Sequence, residues 1–205
     1  MNIKNKNFRT RKFSYFSSED PCDLRFGHEI CWSRIYEYPF VLNEIANFIK
    51  ITSNCDVVIH NASWGFCDIH LVFKTWLDCT YPNTFHSDIR PSSLWRTMVW
   101  DITTPPSEAL IDRFDIVINV STLEEVSGEH SQIIENHLDQ LRVGGYFIGT
   151  FDVPGLQLPN VELALLEKIV TPPSKLSPRN SRLEDKKLGL ADSFAVGYVV
   201  IERIS

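Results

Sequence analysis

Short β-branched runs alternate with stretches of helical periodicity, and that alternation limits the possible folds more than any other feature of the chain. Asp56-Val-Val-Ile-His60 is a brief apolar run of the kind buried on both faces of a sheet. Asn61-Ala-Ser-Trp-Gly65 turns the chain, and Ile69, Val72, Phe73, Trp76 and Leu77 then recur at helical spacing. Asp68 is placed to cap that helix or to favour its N-terminus. Thr84–Ile89 and Met98–Ile102 read as a second and a third strand, and Pro105-Pro106-Ser107 opens a helix through Ile111. Asp115–Val120 is a strongly β-branched strand. Ser131–Leu141 is a helix that Gly144-Gly145 stops, Tyr146–Phe151 is the next strand, residues 160–170 form another helix, and Phe194–Glu202 closes the chain as a strand. Strands and helices in this rhythm predict a doubly wound, mostly parallel sheet with helices on both faces.

Upstream, residues 1–20 read as a loose basic lead-in whose aromatics, Phe8, Phe13, Tyr15 and Phe16, dock on the body. Residues 1–39 form an N-terminal arm or aromatic cap that includes Trp32-Ser-Arg-Ile-Tyr-Glu-Tyr38, and residues 40–205 form the main domain, beginning with an amphipathic helix over Phe40–Lys50. The 205 residues suit this single-core arrangement. A net charge of -6 disfavours a general polyanion-binding surface, so nucleic acid is not expected as substrate. Five cysteines, odd in number and without a CxxC pair, point to reduced thiols in a cytoplasmic setting rather than to disulfides or zinc. The polar, basic N-terminus has no apolar signal-peptide core, and no apolar run is long enough to span a bilayer.

In a doubly wound sheet, ligands bind at the carboxyl ends of the strands, near the switch in strand order. The distinctive turns all fall at such ends: the small-residue turn after His60, Asp88 in His86-Ser-Asp-Ile-Arg-Pro91, and Asp101 in Met98-Val-Trp-Asp-Ile102. Behind them stand Phe114-Asp-Ile-Val-Ile-Asn-Val-Ser-Thr-Leu-Glu-Glu125 and Leu141-Arg-Val-Gly-Gly-Tyr-Phe-Ile-Gly-Thr150. In this order the pieces resemble the class I S-adenosylmethionine-dependent methyltransferases, over roughly residues 36–152. The resemblance implies a Rossmann-like fold with an antiparallel last strand, S-adenosyl-L-methionine as cofactor, and methyl transfer to a small-molecule or sugar acceptor.

Residue by residue, the resemblance assigns donor-binding roles. The family's first turn has an acid and then glycines at alternate positions. Here Asn61 takes the acid position, with Ser63, Gly65 and Cys67 at the glycine positions and Ala62 between. A second register starts from His60 and is sterically worse. Asp88 matches the carboxylate that accepts the ribose hydroxyls; read alone, it is an Asx turn before Arg90-Pro91. Asp101 matches the acceptor for the adenine amino group and Ile102 the ring contact, although Asp101 also suits a turn before Thr103. Asn119 and Ser121 would face the methyl donor. Glu124, Glu125, His130 and Asp152 are the candidates for a base or for orienting the acceptor; a lone His130 near a helix start also suits capping. No metal is expected: His60, His70 and His86 lie near the site, but no carboxylate–histidine spacing recurs. Two other readings stand beside this one. The degenerate glycine turn fits a catalytically inactive binding or assembly protein, while a nicotinamide enzyme lacks its GxGxxG fingerprint.

Overall fold

A computed structural model of the chain describes residues 7–17, 19–26, 33–65, 68–153, 161, 164 and 195–205. Among them are seven strands: β1 (Phe8–Tyr15), β2 (Ile59–Ala62), β3 (Thr84–Asp88), β4 (Thr97–Val99), β5 (Phe114–Val120), β6 (Leu141–Val153) and β7 (Ala195–Arg203). Three α-helices accompany them, α1 (Arg34–Thr52), α2 (Asp68–Thr80) and α3 (His130–Leu138). The strands form one sheet in the order β1-β7-β6-β5-β2-β3-β4. Strands β2 to β6 are parallel, and β7 runs antiparallel to both β6 and β1. The chain winds outward from β2 to β4 and then returns to place β5 on the other side of β2. The switch in strand order therefore lies between β2 and β5, where a doubly wound sheet opens a ligand crevice.

Alternation along the central strand puts helices on both faces. Ile116 and Ile118 of β5 pack with Val41, Ile45 and Phe48 of α1 and with Phe73 and Leu77 of α2. Val117 points the opposite way, into a core shared with Ile133, Ile134 and Leu138 of α3. Both faces are covered, as the near-continuous apolar character of β5 requires.

The N-terminal stretch departs from the expected loose lead-in. β1 pairs with β7 from Phe8↔Arg203 to Tyr15↔Gly197 and covers an edge that β7 would otherwise expose. Its arginines hide the strand from a hydropathy reading, because Arg9 and Arg11 project outward to Glu202 while Phe13 and Tyr15 are buried. Helix α1 also starts earlier than expected and runs through Pro39. Proline removes the N–H that would bond the carbonyl four residues back. The carbonyl of Ile35 instead accepts from the backbone N–H of Asp23 at 2.8 Å, which ties the preceding loop to the helix.

Smaller differences have local causes. Residues 108–112 form turns rather than a helix. Gly144 and Gly145 do not end α3 but lie within β6, where the ladder with β5 skips from Phe114↔Leu141 to Ile116↔Tyr146. A Cβ on Gly145 would stand 2.9 Å from the Asp115 carbonyl, so the irregularity needs glycine there. The helix expected over residues 160–170 lies mostly outside the described residues; residues 161 and 164 are helical. No helix among the described residues is long and apolar enough to cross a membrane.

Candidate donor-binding and acid site

A cleft of about 600 Å³ lies over the carboxyl ends of β2, β3 and β4 and beside the segment after β5. Ser63, Gly65, Asp88, Trp100, Asp101, Ile102 and Thr122 contribute to its wall. The turn after β2 is left-handed twice, with φ of 55° at Ser63 and 75° at Gly65. At Gly65 an added Cβ would stand 2.6 Å from the His70 ring, so space and backbone both call for glycine.

Asp88 ends β3 with its side chain at the cleft. Its Oδ2 accepts from the Gly65 N–H at 3.1 Å and its Oδ1 from the Arg90 N–H at 3.2 Å. The Asx turn is thus present, and it aims the carboxylate rather than consuming it, since each ionised oxygen still has acceptor capacity. Asp101 behaves alike. Its Oδ1 accepts from the Thr103 N–H at 2.9 Å and from the Thr103 hydroxyl at 2.7 Å, while Oδ2 has no partner among the described residues. Ile102 and Trp100 supply apolar wall between the two acids.

Other expected donor contacts turn elsewhere. Asn61 is buried and donates toward His86 Nδ1 at 3.2 Å, in a chain that continues to Asp78 and Lys74. Its residue borders a second, smaller cavity of about 70 Å³. The methyl of Ala62 sits in the core on the α3 face. Asn119 is fully buried, with its amide nitrogen 3.1 Å from His137 Nε2 and its Oδ1 unpartnered among the described residues. Ser121, at φ 39°, donates its hydroxyl to Glu37 and borders the smaller cavity.

Glu37 and Arg34 carry no family motif, yet they organise the ends of β5 and β6. The Glu37 carboxylate is fully buried; it accepts from the Ser121 and Thr150 hydroxyls and pairs with Arg34 Nη1. Burial works to raise its pKa, but the Arg34 charge and the hydroxyl bonds outweigh burial and hold it below the usual carboxylate range. An Arg-x-x-Glu spacing at a helix start was the sequence signal for this pair.

Two of the expected catalytic acids meet beside this pair. Glu124 Oε1 accepts from the backbone N–H of Asp152 at 2.9 Å. Glu124 Oε2 and Asp152 Oδ1 are buried without a partner among the described residues. Burial, then the Asp152 charge, pushes Glu124 up to about 8. Burial, then Glu37, pushes Asp152 up to about 7, against the pull of Arg34. Glu125 is exposed, and His130 Nε2 donates to the Leu123 carbonyl at 3.1 Å, a bond that fixes the start of α3.

The buried histidines are held neutral. His60 lies between Gln140 Oε1 and the Ser87 hydroxyl, and burial takes it down to about 3. His86 falls to about 4 through burial, against its bond to Asp78. Among the described residues no group of three or more His, Cys, Asp or Glu side chains is disposed to hold a metal ion.

No protein-family model matches the chain, and no curated protein matches it. Solved structures do. The [4+2]-cyclase SpnF is 13% identical over 90% of this chain and 89% of its own, with a TM-score of 0.52. The 1,6-didemethyltoxoflavin-N1-methyltransferase of Burkholderia thailandensis, solved with 1,6-didemethyltoxoflavin and S-adenosylhomocysteine, is 14% identical over 96% of this chain and 100% of its own, at 0.51. The CurJ carbon methyltransferase is 12% identical over 83% of this chain but 54% of its own, also at 0.51. The chain spans about half the length of other matched structures, at 48%, 53% and 55%. These likenesses agree with the strand order and the antiparallel last strand: the chain has the fold of the class I S-adenosylmethionine-dependent methyltransferases.

Proposed function

We propose that this protein binds S-adenosylmethionine in the 600 Å³ cleft and transfers its methyl group to a small-molecule acceptor, sugars included. The observation that carries the reading is the convergence of Asp88, Asp101 and the Gly65 turn on one cleft at the switch point. The residues suit a nucleoside: Asp88 offers paired acceptors for ribose hydroxyls, Asp101 Oδ2 an acceptor for an exocyclic amine, and Trp100 and Ile102 an apolar wall for a base.

The sulfonium donor supplies an already activated methyl group, so the chain's own task is positioning and proton removal. The bound donor would give that methyl to an acceptor hydroxyl or amine, which must then shed a proton. The acceptor's proton goes to a carboxylate. Glu124 and Asp152 fit this role because their buried environment keeps their proton affinity near neutrality. Arg34 and Glu37 hold Ser121 and Thr150, and with them the ends of β5 and β6, in place.

One observation favours a second reading. The turn keeps a single glycine, Gly65, and the fold hosts other chemistry, as the cyclase named above illustrates. A chain that binds the donor without transferring its methyl would fit as well. Calorimetric titration with S-adenosylhomocysteine tests donor binding, and no heat of binding from folded protein overturns the proposal. Release of S-adenosylhomocysteine across a panel of hydroxylated and amine metabolites then separates the enzyme from the binding protein.

A further inference from the structure

A separate cavity of about 340 Å³ opens where β1, α1 and β7 meet, and it shares no wall residue with the donor cleft. Alternation along β1 builds it. Phe13 and Tyr15 turn into the core beneath α3, so Lys12 and Phe16 turn toward α1. Phe16, Phe40 of α1 and Tyr198 of β7 form an aromatic wall. The Tyr198 ring centroid lies 4.8 Å from Phe16 and 4.5 Å from Phe40, and Phe16 meets Phe40 edge-on at 5.4 Å. Phe16 is buried, whereas Phe40 and Tyr198 keep part of their surface open. The volume suits a small organic ligand, and such sites combine an apolar wall with a few converging polar groups.

The polar groups here are mainly acceptors. Glu44 is 4% exposed. Its Oε1 accepts from Lys12 Nζ at 2.6 Å and from Asn47 Nδ2 at 3.3 Å, while Oε2 has no partner among the described residues. Asp20 Oδ2 accepts from the Ser17 N–H at 2.6 Å and from the Ser17 hydroxyl at 3.1 Å, while Oδ1 has no partner there. Two carboxylates therefore face the space against one ammonium. Lys12 is 45% exposed on a flexible stem, so water screens its hold on Glu44 and the stem can swing away. Glu44 has no such freedom, and a buried carboxylate demands a partner.

We propose that this cavity binds a small organic ammonium with an apolar or aromatic body, whose charged end displaces Lys12 from Glu44 and whose body lies against Phe40 and Tyr198. Lys12 Nζ already marks the place of the ligand's cation. The aromatic faces favour the same charge, because the ring quadrupole is negative there. An anion would meet Glu44 and Asp20 with only Lys12 to receive it. This site stands apart from methyl transfer and does not depend on donor binding.

The test is calorimetry on the whole chain at pH ~7 with phenethylamine, 2-phenylethanol and 3-phenylpropanoate, which share a ring and differ in the charge at the other end. The wild type should bind phenethylamine about 10-fold or more tightly than 2-phenylethanol, the range for a hydrogen bond to a charged group, and should not bind 3-phenylpropanoate. Glu44→Gln still offers Lys12 and Asn47 an oxygen but loses the charge. It should bring phenethylamine down to the affinity of 2-phenylethanol and leave the alcohol unchanged. If Glu44→Gln does not fold, Asn43→Lys adds a competing ammonium at an exposed position of the same wall and should weaken phenethylamine several-fold, again sparing the alcohol. Saturating S-adenosylhomocysteine should leave the phenethylamine affinity unchanged. Equal affinity of the wild type for amine and alcohol, or no binding of the amine, overturns the proposal. So does a preference for the amine that survives the folded variant, or displacement of the amine by S-adenosylhomocysteine, because the amine would then sit elsewhere.

Discussion

The backbone N–H of Gly65 donates to Asp88 Oδ2 across 3.1 Å, so the turn after β2 and the end of β3 act as one unit. Removing the Asp88 carboxylate takes away the proposed ribose acceptors and also releases the turn. Asp88→Ala should therefore weaken S-adenosylhomocysteine binding by roughly 1–3 kcal/mol or somewhat more. Asp88→Asn still offers one oxygen to Gly65 and should lose less. Calorimetry on the folded variants measures both, and an unchanged dissociation constant removes Asp88 from the site.

Gly65 stands at φ 75°, and a Cβ there meets His70 Cδ2 at 2.6 Å. Gly65→Ala carries the left-handed penalty of about 1–2 kcal/mol and must also displace the His70 ring. Gly65→Val adds branching at the same place and should abolish donor binding while far-UV circular dichroism still reports the sheet. Normal binding by the valine variant would show that this turn does not touch the ligand.

The doubly wound core was legible because β2, β5 and β6 carry apolar, largely β-branched runs, and the strand ends at Asp88 and Asp101 were legible from the rhythm of strands and turns. Side-chain parity was not legible. Ala62 and Asn119 lie one residue from positions that face the site, yet period-two alternation turns them into the core beneath α3. β1 escaped because its outward arginines masked its inward aromatics. The first turns of α1 escaped because Pro39 reads as a boundary, whereas the Asp23 N–H supplies the bond that the Ile35 carbonyl would have lost. With the start of α1 misplaced, Arg34 and Glu37 could not be set on one helical turn above β5 and β6.

β1 should be an energetic part of the sheet. Phe13 is 5% exposed and stacks on Phe151 with ring centroids 6.2 Å apart. Phe13→Ala should lower the unfolding free energy by about 3–5 kcal/mol, the usual range for a buried phenylalanine. Denaturant titration reads this directly. A loss below about 1 kcal/mol would mean that the strand is not docked in solution.

Glu124 and Asp152 set a pH dependence whose sign is fixed. Unfolded, both carboxyls titrate near about 4; folded, burial first and neighbouring acids second raise them to about 8 and about 7. The folded state therefore binds more protons in between, and this contribution to stability, full below pH ~4, is lost as pH rises through the folded values. His60, His86 and His137 act oppositely below about pH 6.5, because burial depresses their folded pKa values and acid charges them on unfolding. The acids are thus read cleanly between about pH 6.5 and 8, where the melting temperature should fall as pH rises. Glu124→Gln mimics the protonated acid. It should flatten that slope and raise the melting temperature at pH ~8, by about 2–4 °C per kcal/mol recovered. An unaltered slope would show that Glu124 holds no proton there. On an acceptor that turns over, the same variant should lower kcat by about 10²–10⁴ if Glu124 takes the proton, with S-adenosylhomocysteine affinity little changed. Full turnover would pass the proton to Asp152, whose Asp152→Asn variant should then carry the loss.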